Sequence, residues 1–402
     1  MRRAVYWFFP FLFSTGAAAD WEFSPPLTIS DQAGERFFHH LESAGRRNIA
    51  VSGETVAVAW EDDRDGTPRI YLARKGLDDA DFSSALQVSG EGEAFEPSMV
   101  ALEGGRFALA WEEEGRVRLR VVNREGRPGP LIELGEGESV QPSLHFGEGT
   151  LRLVTAEREG RFSRIYFHRF ALRKGELKPL RRCAVDAAPP EDQQLYPTLA
   201  RQQGVTVVAW EDRRPGHTII MAAESEDGKA CAFSDPKRIS LPPEDEEEAP
   251  YGRGHGVARV ALASFGSDGI YAAWADKRDF REGYDIYGAG WRTEQGFGAN
   301  ERVQDEFGGV ARQWHVTLAG QVQGRLVAAW TDERDGNADV LFSRREDGQW
   351  SDDRSLPGAS GAGEQLHPSI TLDGAGNLHA AWVERDEVGG STRLRYAVGR
   401  LR

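Results

Sequence analysis

Apolar strands in this chain are preceded by side chains able to do chemistry, and those side chains change from one strand to the next. They are Arg46 and Arg47, Glu96, Gln141, Tyr196, then Tyr251, Arg253, His255 and Arg259, then Arg312, Trp314 and His315, and finally His367. A guanidinium presents a planar fork of donors that matches a carboxylate, sulfate or phosphate, so several arginines round one opening would suit an anionic ligand. Aromatic faces beside them would suit a sugar ring. The competing reading makes them rim ion pairs with the many carboxylates of the chain, and sequence leaves both open.

A second set of polar residues recurs instead of varying. Asp62, Glu113, Asp212, Asp276, Asp332 and Glu384 each stand two residues after a tryptophan, and Arg64, Arg214, Arg278 and Arg334 stand four after theirs. A group present in almost every repeat is a building device: Asp accepts from turn N–H groups, glycine takes positive φ, and Arg pairs with a carboxylate. Calcium is the alternative at the closely spaced oxygen donors Asp332, Asp335, Asn337 and Asp339, which lack the spacing of a hand-type loop. No other metal or cofactor is expected. His39 and His40, adjacent in a strand, would face opposite sides, and no third ligand is fixed by spacing. The acidic run 244–248 reads as a solvated loop.

The elements that position these residues come from a repeat. VAVAWEDDRDGTPRIYLAR, FALAWEEEGRVRLRVV, VTVVAWEDRRPGHTIIMAA, IYAAWADKRDFREGYDIYGA, LVAAWTDERDGNADVLFSR and LHAAWVERDEVGGSTRLRYA carry Trp60, Trp111, Trp210, Trp274, Trp330 and Trp382. LRLVTAEREGRFSRIYFHRF is a seventh, degenerate copy that places Ala156 in the tryptophan position. The period is about 54 residues, in the range of propeller blades. Within one copy, Trp314–Ala319, Leu326–Trp330, Asp339–Arg344 and Trp350–Leu356 read as four short strands, broken at Gly320, Asp335-Gly336 and Asp347-Gly348. Four antiparallel strands repeated seven times predict an all-β, seven-bladed β-propeller. The last copy lacks a fourth strand, and WEFSPPLTIS (residues 21–30) resembles the fourth strands FSSALQVS, FSDPKRIS and FGANERVQ. Residues 21–30 should therefore complete the last blade and close the ring, which removes exposed sheet edges.

Residues 1–19 have the order of a secretory signal: Arg2 and Arg3, an apolar stretch to about Phe13, and Ala17-Ala18-Ala19 before Asp20. A single propeller domain would follow from residue 20, in a secreted or periplasmic protein without a membrane span. In an oxidising compartment Cys183 and Cys231 read as a disulfide between blades three and four, with two buried thiols as the alternative. With 49 Lys and Arg against 64 Asp and Glu, the formal charge is −15, and the basic residues are scattered, which argues against nucleic acid. A closed ring needs no partner, so a monomer is expected.

The W-x-D-x-R-D-G turn, the I-Y strand and the F-S-x-P-x-x-[VI]-S strand resemble the Asp-box (BNR) repeats of the sialidase superfamily and its non-enzymatic relatives. Ser225-Glu226-Asp227-Gly228 and Asp347-Gly348-Gln349-Trp350 are partial Asp-box matches. The turns also resemble periplasmic Tol-system propeller repeats. As a sialidase-like glycosidase the chain would hold a sugar carboxylate with arginines and use a tyrosine nucleophile, Tyr251 or Tyr196, assisted by Glu96. Asp62 or Asp276 would donate the proton. The F/Y-R-I-P motif of sialidases has no counterpart, since Thr67-Pro68-Arg69-Ile70 carries related letters in another order. Sialidases also usually have six blades. The expectation is therefore a propeller that binds a glycan, an anionic small molecule or a protein at its channel mouth, with glycoside hydrolysis as the alternative. A third reading is an assembly factor acting through its sides.

Overall fold

The computed structural model describes residues 20–30, 37–41, 45–135, 137–226, 231–242, 256–267, 269–278 and 283–402. Seven antiparallel sheets of four or five strands follow one another along the chain, the blades of a propeller. Blades 1 to 6 occupy residues 39–87, 94–133, 139–184, 194–238, 256–302 and 313–355, and blade 7 occupies residues 364–401 with two strands from the chain's start. In blade 6 the strands run Gln313–Gly320, Leu326–Asp332 and Asp339–Glu346, a little longer than their sequence pattern. The fourth strand forms two short pieces, Gln349–Trp350 and Arg354–Ser355, because Asp353 between them turns inward to Arg334 at 2.6 Å.

Ring closure follows the expectation. Trp21–Phe23 pairs with the outermost strand of blade 7, in the register Trp21 with Leu401 and Phe23 with Gly399, and Leu27–Ser30 continues on the same strand, Leu27 opposite Tyr396. Trp21 also donates from Nε1 to Gly376 O at 2.9 Å and packs edge-on to Phe342 of blade 6. The disulfide between Cys183 and Cys231 is formed, with Cα atoms 5.9 Å apart, and ties the fourth strand of blade 3 to blade 4. Among the described residues no helix is long and apolar enough to cross a membrane.

The core lies between blades. All six repeated tryptophans are fully buried. Trp274, for example, sits among Val207 and Ile220 of blade 4 and Ile270 and Ala289 of its own blade. Burial alone would leave each indole N–H without a partner. In five of the six the residue two positions on supplies it: Trp60 donates to Asp62 (2.7 Å), Trp111 to Glu113 (2.7 Å), Trp210 to Asp212 (3.0 Å), Trp274 to Asp276 (2.9 Å) and Trp330 to Asp332 (3.0 Å), while the Trp382 Nε1 is buried without a partner. The same carboxylates receive Arg64, Arg214, Arg278 and Arg334, and those of Asp62, Asp212 and Asp332 also accept the backbone N–H of their arginines. Gly66, Gly216 and Gly336 then turn the chain at φ between 78° and 91°.

Blade 3 corrects the sequence alignment by one residue. Thr155, opposite Tyr166, stands where Trp60 stands opposite Tyr71, so Ala156 occupies the position after the tryptophan. The Thr155 hydroxyl donates to Glu157 at 3.0 Å, a smaller version of the Trp–Asp bond.

Asp332 is buried and Arg334 nearly so. Asp332→Ala leaves the Trp330 N–H without its acceptor and takes from Arg334 one of its three carboxylates, and should cost about 2 kcal/mol, measured as the urea unfolding midpoint. Deleting residues 20–30 should expose the Thr392–Leu401 edge and produce a lower melting temperature with self-association in light scattering.

Candidate site at the channel mouth

Each first strand from blade 2 to blade 7 carries a bulge, seen as a register shift at equivalent points such as Phe95/Ser98, Leu195/Thr198 and Leu366/Ser369. The bulged residues are Glu96, Gln141, Tyr196, Arg259, His315 and His367, all at φ between 50° and 58°. Non-glycine residues rarely adopt this left-handed conformation, and a bulge re-aims a side chain. These residues are those that vary from blade to blade in the sequence.

What holds them is a side chain from the preceding blade. The N–H of Glu96 donates to Glu61 (3.2 Å), that of Gln141 to Glu112 (2.6 Å), that of Arg259 to Glu211 (2.7 Å) and that of His367 to Thr331 (3.1 Å). Glu61, Glu112, Glu211 and Thr331 each follow the repeated tryptophan directly. Blade 3 has Ala156 there, and the N–H of Tyr196 turns to the side-chain oxygen of Gln141 instead, at 2.7 Å. Sequence reasoning missed these caps; their signal was the glutamate between the tryptophan and the recurring acid.

Blade 1 departs from the others. His40 faces Glu61 as Phe95 faces Glu112, and Ile49 faces Val58 as Met99 faces Leu109, so blade 1 has five more residues than blade 2 between these pairs and Arg46 takes the mouth position. The detour returns at Gly45, whose carbonyl accepts from Ser143 (2.7 Å) and Thr198 (3.2 Å) of blades 3 and 4 across the channel. A Cβ on Gly45 would lie 2.7 Å from the carbonyl oxygen of Val260 in blade 5, so only glycine fits.

The arginines do not share one ligand position. Arg46 is buried against Glu96 at 2.5 Å, and Arg312, 61% exposed, lies 3.1 Å from Glu333. Arg47 donates to Leu262 O in blade 5 at 3.3 Å. Arg259 lies 3.7 Å from Glu211 and stacks 3.2 Å from the Tyr196 ring centre, with Arg46 at 5.8 Å from the same ring. Burial, with the charge of Glu96, pushes the Glu112 carboxyl well above the usual range. Trp314, His315 and His367 form an aromatic sector: Trp314 stacks on His315 at 4.2 Å and His315 meets His367 edge-on at 4.2 Å. Burial and Arg259 lower His315 to about 4, and burial with His315 and His40 lowers His367, so both rings are neutral at pH 7.

Two hollows open here. One, of about 360 Å³, is lined by Trp314, Leu366, His40 and His367 together with the Arg312–Glu333 and Arg385–Glu364 pairs. The other, of about 340 Å³, shares His40 and His367 and adds Glu61, Glu96 and Glu112. The Trp314 Nε1 is buried without a hydrogen-bond partner. His39 faces away from His40 as expected, bonded to Thr392.

Other candidates lie elsewhere. Asp62 and Asp276 are buried in the Trp–Asp–Arg units at the turns. Tyr251, Arg253 and His255, with the acidic run, residues 1–19 and Asp227-Gly228, fall outside the described residues. Of the calcium candidates, Asp332 is taken by Trp330 and Arg334, Asp339 accepts from Gly361 N (3.0 Å), and Asn337 donates to Gly361 O and Gly363 O. Asp335 is exposed. Among the described residues no group of three or more His, Cys, Asp or Glu is arranged to hold a metal.

The fold and mouth define a closed propeller with a walled central opening, and that architecture is shared with glycoside hydrolases. The α-L-arabinofuranosidase Arb93A of Fusarium graminearum, solved with an iminosugar inhibitor, superposes with a TM-score of 0.52 at 12% identity over 76% of this chain and 93% of its own. An α-L-arabinanase of Penicillium chrysogenum, solved with arabinobiose, gives a TM-score of 0.52 at 11% identity over 94% of this chain and 98% of its own. No family model matches the sequence. No curated protein matches it either.

The raised Glu112 has a thermodynamic signature. Above the ordinary carboxyl range the folded state keeps a proton that the unfolded state has released, so stability falls as pH rises through neutrality, by at most about 1.4 kcal/mol per pH unit. Asp353, pushed up to about 7 chiefly by burial, adds a second part of that slope. Glu112→Gln should remove the first part and leave the second, read from melting temperatures between about pH 5 and 9.

Proposed function

We propose that the protein is an exported glycan-binding propeller whose ligand is an uncharged sugar seated in the hollow beside Trp314. The observation that carries this reading is the wall of that hollow: an indole with a free buried donor, neutral imidazoles, and two arginine–carboxylate pairs at its rim. Aromatic faces suit the C–H face of a sugar, and fixed ion pairs offer donors and acceptors to its hydroxyls. A charged ligand is disfavoured, since Arg46, Arg259, Arg312 and Arg385 each face a carboxylate. The same pairing weighs against a sialic acid, whose carboxylate needs arginines that converge, and so against a sialidase-like activity. Export is supported by the signal-like order of residues 1–19 and by the disulfide.

Glycoside hydrolysis is the second reading, favoured by the protonated Glu112 beside Glu96. Glu96, the carboxylate beside it, is held by Arg46, and this pairing places binding first. Calorimetry with arabinobiose and longer arabino-oligosaccharides tests both, because arabinobiose is the sugar held by the Penicillium arabinanase. Saturable binding without cleavage, weakened about tenfold or more in Trp314→Ala, supports the reading. Turnover that Glu112→Gln abolishes would replace it with the hydrolase, and no binding of any neutral glycan would reject both.

A further inference from the structure

Below the Gly45 crossing, the channel changes sign. His145 on the first strand of blade 3 stands directly opposite Arg152, Arg152 opposite Arg169, and Arg169 opposite Arg181, so one row across the blade carries four basic residues. Directly opposed like charges destabilise a sheet. Arg201 of blade 4 joins them, linked to Arg152 through Glu148, which lies 3.0 Å from Arg201 and 3.7 Å from Arg152. Arg47 reaches the same region from blade 1: Arg47, Arg152 and Arg201 all act on His145, whose basicity burial and these charges lower to about 3.

Two of these cations are largely out of water. Arg152 is 2% exposed and the Arg201 side chain 9%. Arg47 has only a carbonyl against it, and burial depresses its basicity with no carboxylate opposing that among the described residues. Arg152 and Arg201 thus share one carboxylate, Glu148, itself 68% exposed. The Nε atoms of Arg152 and Arg201 and the Nδ1 of His145 are buried without hydrogen-bond partners. A buried charge persists when it is paired, and an acidic chain with 64 carboxylates has placed just one of its described carboxylates here.

We propose that the lower end of the channel is a binding site for a small oxyanion of the phosphate or sulfate class, held by Arg47, Arg152 and Arg201 with His145 beside them. Guanidinium forks match tetrahedral oxyanions, and the exposed Glu148 marks the side from which the anion enters. The site is separate from the mouth and does not depend on the sugar reading.

The test uses the full-length protein with its disulfide intact and titrates inorganic phosphate, then sulfate, against sodium chloride at matched ionic strength. The expected result is saturable binding of one anion per chain with a rise in melting temperature that chloride does not give. Arg201→Gln and Arg47→Gln should each weaken it about tenfold or more, whereas Arg116→Gln, an exposed arginine of blade 2, should leave it unchanged. In the unaltered protein the His145 titration should move upward when phosphate is added, since an anion favours the imidazolium; this readout stands even where a variant fails to fold. Equal effects of phosphate, sulfate and chloride, with a His145 titration indifferent to them, would overturn the proposal. Phosphate without sulfate, or the reverse, would narrow the site to one oxyanion.

Discussion

The hydrogen bond from five of the six left-handed residues at the mouth to a side chain of the preceding blade is the constraint on which the rest of this structure turns. A non-glycine residue held at positive φ costs on the order of 1–3 kcal/mol, and six such residues ring one opening. Five of them persist because Glu61, Glu112, Glu211 and Thr331, with Gln141 for Tyr196, fix the amide that the bulge would otherwise leave open. Three consecutive residues therefore do three things. Trp60 fills the space between blades, Glu61 pins the mouth residue of the next blade, and Asp62 ties the turn. The geometry of the mouth is thus a property of the ring and not of any one blade.

That division explains what was legible in the sequence. Trp60 to Trp382 recur with a fixed spacing because packing between blades is the same problem solved repeatedly, so blade number, strand order and closure by residues 21–30 could all be read. Glu96, Gln141, Tyr196, Arg259, His315 and His367 could be picked out because they break the repeat at a fixed place. Their pairings could not: whether Arg46 meets Glu96 or a ligand depends on the rotation between adjacent blades, which no spacing encodes. The crossing at Gly45 hid for the same reason, since its contacts lie on blades 3, 4 and 5. In blade 3 the letters alone put Ala156 at the tryptophan position, and only the pairing of Thr155 with Tyr166 set the register.

Charge is sorted along the channel axis. At the upper mouth each arginine has its own carboxylate and the histidines are neutral, so the surface presented is polar without being strongly charged. Beyond Gly45 the balance reverses: Arg152 and Arg201 share one glutamate, and Arg47 adds its charge beside His145. An acidic protein can hold such a region because the segment at Gly45 lies across the channel between the two ends.

The pairing of Trp21–Phe23 with Thr392–Leu401 also sets the order in which the molecule can come into being. Individual blades are built from neighbours in sequence, but the Trp21 indole finds its acceptor 355 residues away. A ribosome delivers those two partners at opposite ends of synthesis, so an emerging chain can assemble inner blades while its final seam stays open. The ring locks in one late, long-range step, and such a seam makes the finished protein slow to come apart, because opening it must precede the loss of any blade.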